Sequence, residues 1–251
     1  MRLDNYLVEN GYFDSRTKAK QAIERGEILV EGKLIVKSSY EMKGVHDIKR
    51  VYESEYVSLG GFKLEKALSD FKFNVKDLVV ADIGASTGGF TDCLIKNGAR
   101  KVYAVDLRDD LLHDKLKNDN KVNLIVKNAK DLSTLDFNDK LDLIVADLSF
   151  ISIVQVLNVF SNLIDNDKYI IILIKPQFET GQRTRFKNGI IRDKKIHKKV
   201  CENVYLEAIK CGLSPINLTT APKNQDKNLE FLILLKKGGK IELSQDFMNF
   251  L

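Results

Sequence analysis

Three polar side chains in this sequence stand at the ends of apolar runs, where a strand would deliver them to one edge of a sheet. "DLIVADLSFIS" (142–152) ends its apolar run on Asp147, "IIILIKPQFE" (170–179) runs into Lys175, and "KVYAVD" (101–106) ends on Asp106. The C-terminal edge is where open α/β sheets bind ligands. Burying a lone ammonium is costly, so Lys175 needs a counter-charge, and Asp147 on a neighbouring strand would supply it. Alone, Asp147 reads either as a capping residue or as part of a reaction centre. Two more charged residues join if the fold is α/β: Lys63 in "GGFKLEKAL", at a helix start, and Glu230 in "NLEFLI", starting the last strand. Paired lysines and carboxylates can hold, orient and deprotonate a weak nucleophile.

A glycine-rich loop, "DIGASTGGF" (82–90), follows the first strand of the same region and opens a helix. Ser86 occupies the second glycine position of a dinucleotide loop, where backbone must approach a pyrophosphate, which disfavours a nicotinamide cofactor. S-adenosylmethionine carries no phosphate and asks for a close glycine turn and acids near its cationic half and its ribose. The expected contacts are Asp82, Gly84, Ala85, Ser86, Thr87, Gly88 and Phe90 from the loop, Asp106 and Leu107 after the second strand, and Asp147. Asn128 and Ala129 in "VKNAKDL" (126–132) would lie around the adenine. A purely structural strand-to-helix turn is the plainer alternative.

The elements that must position these groups follow from periodicity. From Val79 onward, apolar strands at 78–84, 101–106, 122–128, 141–147, 168–175, 213–220 and 228–237 alternate with helical stretches at 88–98, 109–118, 151–164 and 193–211. That rhythm predicts an α/β domain of Rossmann-like form with a mainly parallel seven-stranded sheet, the last strand inserted antiparallel. Ahead of it lies a smaller block. The expected division is 1–58, a linker and first helix at 59–78 carrying Lys63, and 79–251.

The chain has 40 Lys and Arg against 35 Asp and Glu, a net charge of +5, and a pI near 8.9. Residues 1–58 hold ten of each sign, so the excess is downstream. The first block predicts a helix over 3–10, a second after Ser15 with Ala19, Ala22 and Ile23 on its apolar face, a stop at Gly26, and two strands turning at Glu31-Gly32-Lys33. Charge counting alone would not make this neutral block a nucleic-acid binder; its cations Arg2, Arg16, Lys18, Lys20 and Arg25 become candidate RNA contacts through the resemblance that its motifs carry. Downstream, 183–199 gathers eight cations against Asp193, of which Arg183, Arg185, Lys187 and Arg192 are the candidates. Cys93, Cys201 and Cys211 form no CxxC pair, so neither a disulfide framework nor a zinc site is expected. No stretch approaches the roughly 18 apolar residues of a membrane span, and Met1-Arg2-Leu3-Asp4 opens no leader, so a cytoplasmic protein without stable membrane association is expected.

In the first block, "RLDNYL", "SRTKAKQAI", "GEILVEGK" and "KSS" resemble the small α+β αL RNA-binding domain first described in a ribosomal protein. With "GGFKLEKAL", "DIGASTGGFTDCL", "VADLSFIS", "IKPQFE", "NGIIRD" and "NLEFLI", nearly the whole chain resembles the TlyA (haemolysin A) family of ribosomal RNA 2′-O-methyltransferases, whose catalytic domain is of the FtsJ type. The resemblance implies a class I methyltransferase fold, S-adenosylmethionine, ribosomal RNA or ribosomal subunits as partner, and no metal or obligate protein partner. It places the family's Lys-Asp-Lys-Glu tetrad on Lys63, Asp147, Lys175 and Glu230; from the chemistry of these groups, Lys175 could accept the proton of a ribose hydroxyl, while which of the two lysines acts as the base stays open. The chain departs from the family pattern at Leu59, in "DLRDDLLHDKL" and in "KNQDKNLEFL". Base amino-group methylation is disfavoured because Asp147-Leu148-Ser149-Phe150 stands where [DN]PP[FY] is usual. The alternatives are a membrane-active haemolysin, suggested by the family's name alone, and an RNA-binding protein with an inactive methyltransferase fold.

Overall fold

The computed structural model describes residues 1–24, 26–44, 46–50, 55–181, 189–222 and 227–239. The chain divides into two compact units, Met1–Gly61 and Phe62–Leu251.

In the first unit, helix α1 (Leu3–Glu9) and helix α2 (Arg16–Glu24) precede a three-stranded antiparallel sheet of β1 (Ile28–Val30), β2 (Lys33–Leu34) and β3 (Ile48–Arg50), ordered β2-β1-β3. Leu3, Leu7, Ala19, Ala22, Ile23 and Ile28 are fully buried and form its core. The amide of Lys18 donates to the Ser15 hydroxyl, and Gly26, at φ +78, takes the left-handed turn that ends the region of α2. Strand β3 has no counterpart among the expected strands, because "IKR" buries one residue in three and carries no alternation long enough to see.

Helix α3 (Gly60–Asp70), which carries Lys63, begins in the last residues of the first unit and continues into the second, which then alternates β4 (Val79–Ile83), α4 (Gly89–Lys96), β5 (Lys101–Asp106), α5 (Asp114–Lys117), β6 (Val122–Val126), β7 (Leu141–Ala146), α6 (Leu157–Leu163), β8 (Ile164–Ile174), α7 (Pro176–Glu179), α8 (Lys194–Lys210), β9 (Leu213–Thr220) and β10 (Phe231–Lys237). The seven strands lie in the order β6-β5-β4-β7-β8-β10-β9. Strands β4 to β8 run parallel, and β10 slots antiparallel between β8 and β9. Every residue of β4 is buried, as are the last five of β8, which is why these strands read as unbroken apolar runs: helices cover both sheet faces. Helix α8 buries His197, Val200, Cys201, Val204 and Ala208, a stripe at helical spacing, while its cations face outward. Pro215 is tolerated because β9 is an edge strand whose register shifts beside it.

Two expected helices are shorter than their patterns. Of 109–118 only Asp114–Lys117 is α-helical, because His113 caps it by accepting from the Lys115 amide and Leu112 packs instead toward Gly88. Of 151–164, Ile153–Gln155 forms a 3₁₀ turn and α6 stops at Leu163, where β8 begins at once.

Candidate active site

Chain order reverses its direction across the sheet between β4 and β7, and the ends of these two strands bound the site. The tightest approach is at Gly84, whose φ of +88 and closeness to β7 leave no room for a side chain: a Cβ there would lie 2.7 Å from the Asp147 carbonyl oxygen. The Asp147 amide in turn donates to the Ile83 carbonyl at 3.1 Å.

Around this junction opens a cavity of about 470 Å³ lined by Gly84, Ser86, Asp106, Leu107, Asn128, Ala129 and Asp147 of the expected set, and further by Leu111, Lys127, Lys130 and Leu148–Ile151 among others. Its volume suits a nucleoside-sized ligand. Ser86 holds a left-handed φ of +50 and donates its amide to the Asp106 carboxylate at 2.8 Å, while the Leu107 amide donates to the other oxygen at 2.7 Å. The loop amide that would face a pyrophosphate is thus turned onto an acid. Each Asp106 oxygen keeps accepting capacity for the hydroxyls of a ribose. Asn128 holds its own loop by accepting from the Lys130 amide.

Five of the expected cofactor residues do not line the cavity. Asp82 is fully buried, accepts from the Thr91 hydroxyl at 2.6 Å, and leaves Oδ1 without a hydrogen-bond partner among the described residues. Burial, with Asp147 and Asp106 adding repulsion against the help of Thr91, pushes its carboxyl up to about 7. Ala85, Gly88 and Phe90 are buried and Thr87 half-buried beneath the loop, where they shape the turn. A Cβ at Gly88 would strike Leu116 and Leu112, so that glycine serves packing.

Beside the cavity the four charged candidates converge from four separate chain segments. Lys63 Nζ lies 2.6 Å from Glu230 Oε2 and 4.0 Å from Asp147 Oδ2, and Lys175 Nζ lies 2.5 Å from Asp147 Oδ1. Asp147 therefore stands between the two lysine nitrogens. Glu230 immediately precedes β10, and Lys175, 8% exposed, immediately follows β8. Desolvation opposes the charge on Lys63, but Asp147 and Glu230 outweigh it and raise its pKa above the usual lysine value. Lys63 is thereby held as a cation.

Two neighbours carry no charge and so went unmarked in the sequence. The Ser149 hydroxyl accepts from Lys175 Nζ at 2.7 Å. Phe150, 80% exposed at the cavity rim, takes a φ of +73 that bulky residues rarely adopt, and its ring lies 5.5 Å from that of Phe178.

Of the RNA candidates in the first unit, Arg2 and Arg16 converge on Asp4, which is 1% exposed: Arg2 donates to both carboxylate oxygens, at 3.0 and 2.9 Å, and Arg16 to one at 3.0 Å. The Arg2 guanidinium, outweighing burial and joined by Arg16, holds the Asp4 carboxyl down at about 2. Both arginines thus have a structural partner as well as an exposed edge. Lys18 pairs with Asp14 and Lys20 with Glu24 across one helical turn. Arg192 is exposed, and Arg25, Arg183, Arg185 and Lys187 lie outside the described residues. The cysteines offer no nucleophile at a strand end: Cys93 is buried in α4, Cys211 caps α8, and burial pushes the Cys201 thiol up to about 12.

Residues 56–237 match the model of the FtsJ-like methyltransferase family, and residues 1–48 that of the S4 domain. Hemolysin A of Brachyspira hyodysenteriae is 42% identical over 92% of this chain and 98% of its own. The 16S/23S rRNA (cytidine-2′-O)-methyltransferase TlyA of Mycobacterium tuberculosis is 33% identical over 94% of this chain and 89% of its own. A solved structure from Streptococcus thermophilus that bears the hemolysin name superposes with a TM-score of 0.76 at 34% identity, over 100% of this chain and 92% of that one.

Proposed function

The chain belongs to the FtsJ-like methyltransferase family, and on that premise we propose that it methylates ribose 2′-hydroxyls of ribosomal RNA in the cytoplasm, using S-adenosylmethionine. The observation that carries this reading is the Lys63–Asp147–Lys175–Glu230 cluster standing beside a nucleoside-sized cavity at the C-terminal edge of the sheet. The donor set suits S-adenosylmethionine: Gly84 would permit close approach, Asp106 offers acceptors for ribose hydroxyls, and the Asp147 carboxylate lines the same cavity as an anion that would suit a cationic centre. When bound, that group supplies an electrophilic methyl on a sulfonium.

The chain's own residues supply the rest. A ribose hydroxyl is a poor nucleophile near neutral pH, so its proton must be taken as the new bond forms. Lys175 Nζ is placed to accept that proton. Lys63, held protonated by Glu230 and Asp147, stabilises charge developing on the acceptor oxygen. Asp147 bridges the two lysines and keeps either from facing the other uncompensated. Phe150 at the rim presents a π-face on which the base of the target nucleotide can stack. The S4 domain and the outward cations of α8, with Arg192, hold the RNA through its phosphates.

The hemolysin name of one relative suggests a second reading, membrane lysis. No helix among the described residues is long and apolar enough to cross a membrane. The deciding experiment is methyl transfer to ribosomal subunits, with Lys175→Ala beside the wild type and liposome leakage measured in parallel. We expect turnover to fall roughly 100-fold or more, with S-adenosylmethionine affinity retained. Near wild-type transfer by Lys175→Ala, or leakage without transfer by the wild type, refutes the proposal.

A further inference from the structure

We propose that Ser149 is a positioning residue that aims the Lys175 amine at the acceptor hydroxyl, an inference that rests on the methyl-transfer reading above. Ser149 lines the cavity two residues beyond Asp147, and its Oγ accepts from Lys175 Nζ at 2.7 Å. The same nitrogen sits 2.5 Å from Asp147 Oδ1. A neutral lysine amine is tetrahedral: beyond its bond to Cε it carries two N–H groups and one lone pair. Asp147 holds the nitrogen by charge, but its Oδ1 accepts no directed hydrogen bond among the described residues, so the ion pair fixes where Nζ sits and not how its N–H groups point. Ser149 supplies the directed bond. It takes one N–H, and the lone pair, repelled by the Asp147 carboxylate, is left in the one remaining direction, available to the acceptor hydroxyl.

The loop that carries Ser149 is built to hold this geometry. Phe150 keeps a left-handed backbone, a strained state that persists only where the surroundings over-determine it. The far end of the loop is gripped by Glu179, which accepts from the Ser152 hydroxyl at 2.5 Å and from the Ile153 amide at 2.9 Å. Glu179 ends α7, the helix that starts directly after Lys175. Amine and hydroxyl are thus mounted on two segments tied together at both ends.

In the transfer step the acceptor O–H bond breaks and its proton passes to Lys175 Nζ. The O–CH₃ bond forms as the S–CH₃ bond breaks, and that electron pair stays on sulfur as a neutral thioether. Ser149 neither gains nor loses a proton, so its effect is on orientation.

The test compares full-length wild type, Ser149→Ala, Ser149→Thr and Lys175→Ala in methyl transfer to ribosomal subunits, with S-adenosylmethionine affinity by calorimetry and thermal melting alongside. We expect Ser149→Ala to lower kcat about 10-fold or more, the scale of one hydrogen bond to a reacting group. KM for RNA, S-adenosylmethionine affinity and Tm stay near wild type, and Ser149→Thr, which keeps the hydroxyl, restores most of the rate. An inactive Lys175→Ala beside a fully active Ser149→Ala overturns the role of Ser149 alone. An active Lys175→Ala overturns the reading beneath it. A loss in Ser149→Ala that threonine does not restore, or that comes with weaker cofactor binding or a lower Tm, assigns the hydroxyl to structure and also overturns the inference.

Discussion

Gly84→Ala tests whether the close approach of β4 to β7 shapes the site. Two costs combine at this position. A residue with a Cβ held at φ +88 bears left-handed strain of about 1–2 kcal/mol. The added methyl, 2.7 Å from the Asp147 carbonyl oxygen, also meets backbone that cannot rotate away, and overpacking of this kind costs about 1–3 kcal/mol. Gly212→Ala is the internal control: its φ is +73 and nothing lies within 4 Å of its Cβ, so it bears the strain without the clash. For a unit of this size, about 1 kcal/mol moves Tm by roughly 2–4 °C. Thermal melting should therefore show a loss of roughly 2–8 °C for Gly212→Ala and a clearly larger one, up to roughly 20 °C, for Gly84→Ala. Because relief of the clash must displace Asp147, methyl transfer at a temperature where the protein remains folded should fall for Gly84→Ala and stay intact for Gly212→Ala. Equal melting temperatures, or full turnover by Gly84→Ala, would refute the reasoning.

Three further outcomes follow from the charges and clamps. The Asp82 carboxyl is raised to about 7, so the folded chain keeps a proton that the unfolded chain releases near pH 4; stability should fall as pH rises from about 4 to 7, and Asp82→Asn should flatten that slope in denaturant titrations. Asp4 behaves oppositely: its carboxyl, held down at about 2, contributes stability above pH 4 that is lost as pH falls toward 2, so Asp4→Asn should reduce the acid dependence of unfolding of the full chain, and an unchanged profile would remove the Arg2–Asp4–Arg16 cluster from the stability account. Asn228 accepts from the Ile191 amide at 2.7 Å and donates to the Gly189 carbonyl at 2.9 Å, tying the segment before α8 to the residues leading into Glu230; Asn228→Ala should weaken binding to ribosomal RNA while leaving S-adenosylmethionine affinity near wild type, as filter binding and calorimetry would show.

How far each feature could be read ahead of the structure depends on whether its cause is local. Buried parallel strands announce themselves as apolar runs because both faces are covered, and β4, β5, β7 and β8 were legible for that reason. Charged residues at the ends of such runs are conspicuous because burial without a partner is costly, which singled out Asp147 and Lys175. Depth is not local. Asp82 lies one residue before the end of β4 and Asp106 ends β5, yet one carboxyl points into packed interior against Thr91 and the other to the cavity, a distinction set by strands that arrive later in the chain. Arg2 and Arg16 looked like free cations because their common partner, Asp4, is an acid whose burial depends on the fold of its unit.

Ser149 and Phe150 show the other limit. A serine and a phenylalanine three and four residues past a strand are ordinary in composition, and what separates them from loop filler is a backbone turned to φ +73 between two anchored segments. That turn sends the serine hydroxyl to the lysine and the phenylalanine ring to the rim. The charges that identify a reaction can therefore be found by their type and spacing, whereas the neutral groups that aim them become visible only once the distances between chain segments are known. Under the proposed function the consequence is a division of labour: the four charged residues would take the proton, and the uncharged loop beside them would set the direction from which it is taken.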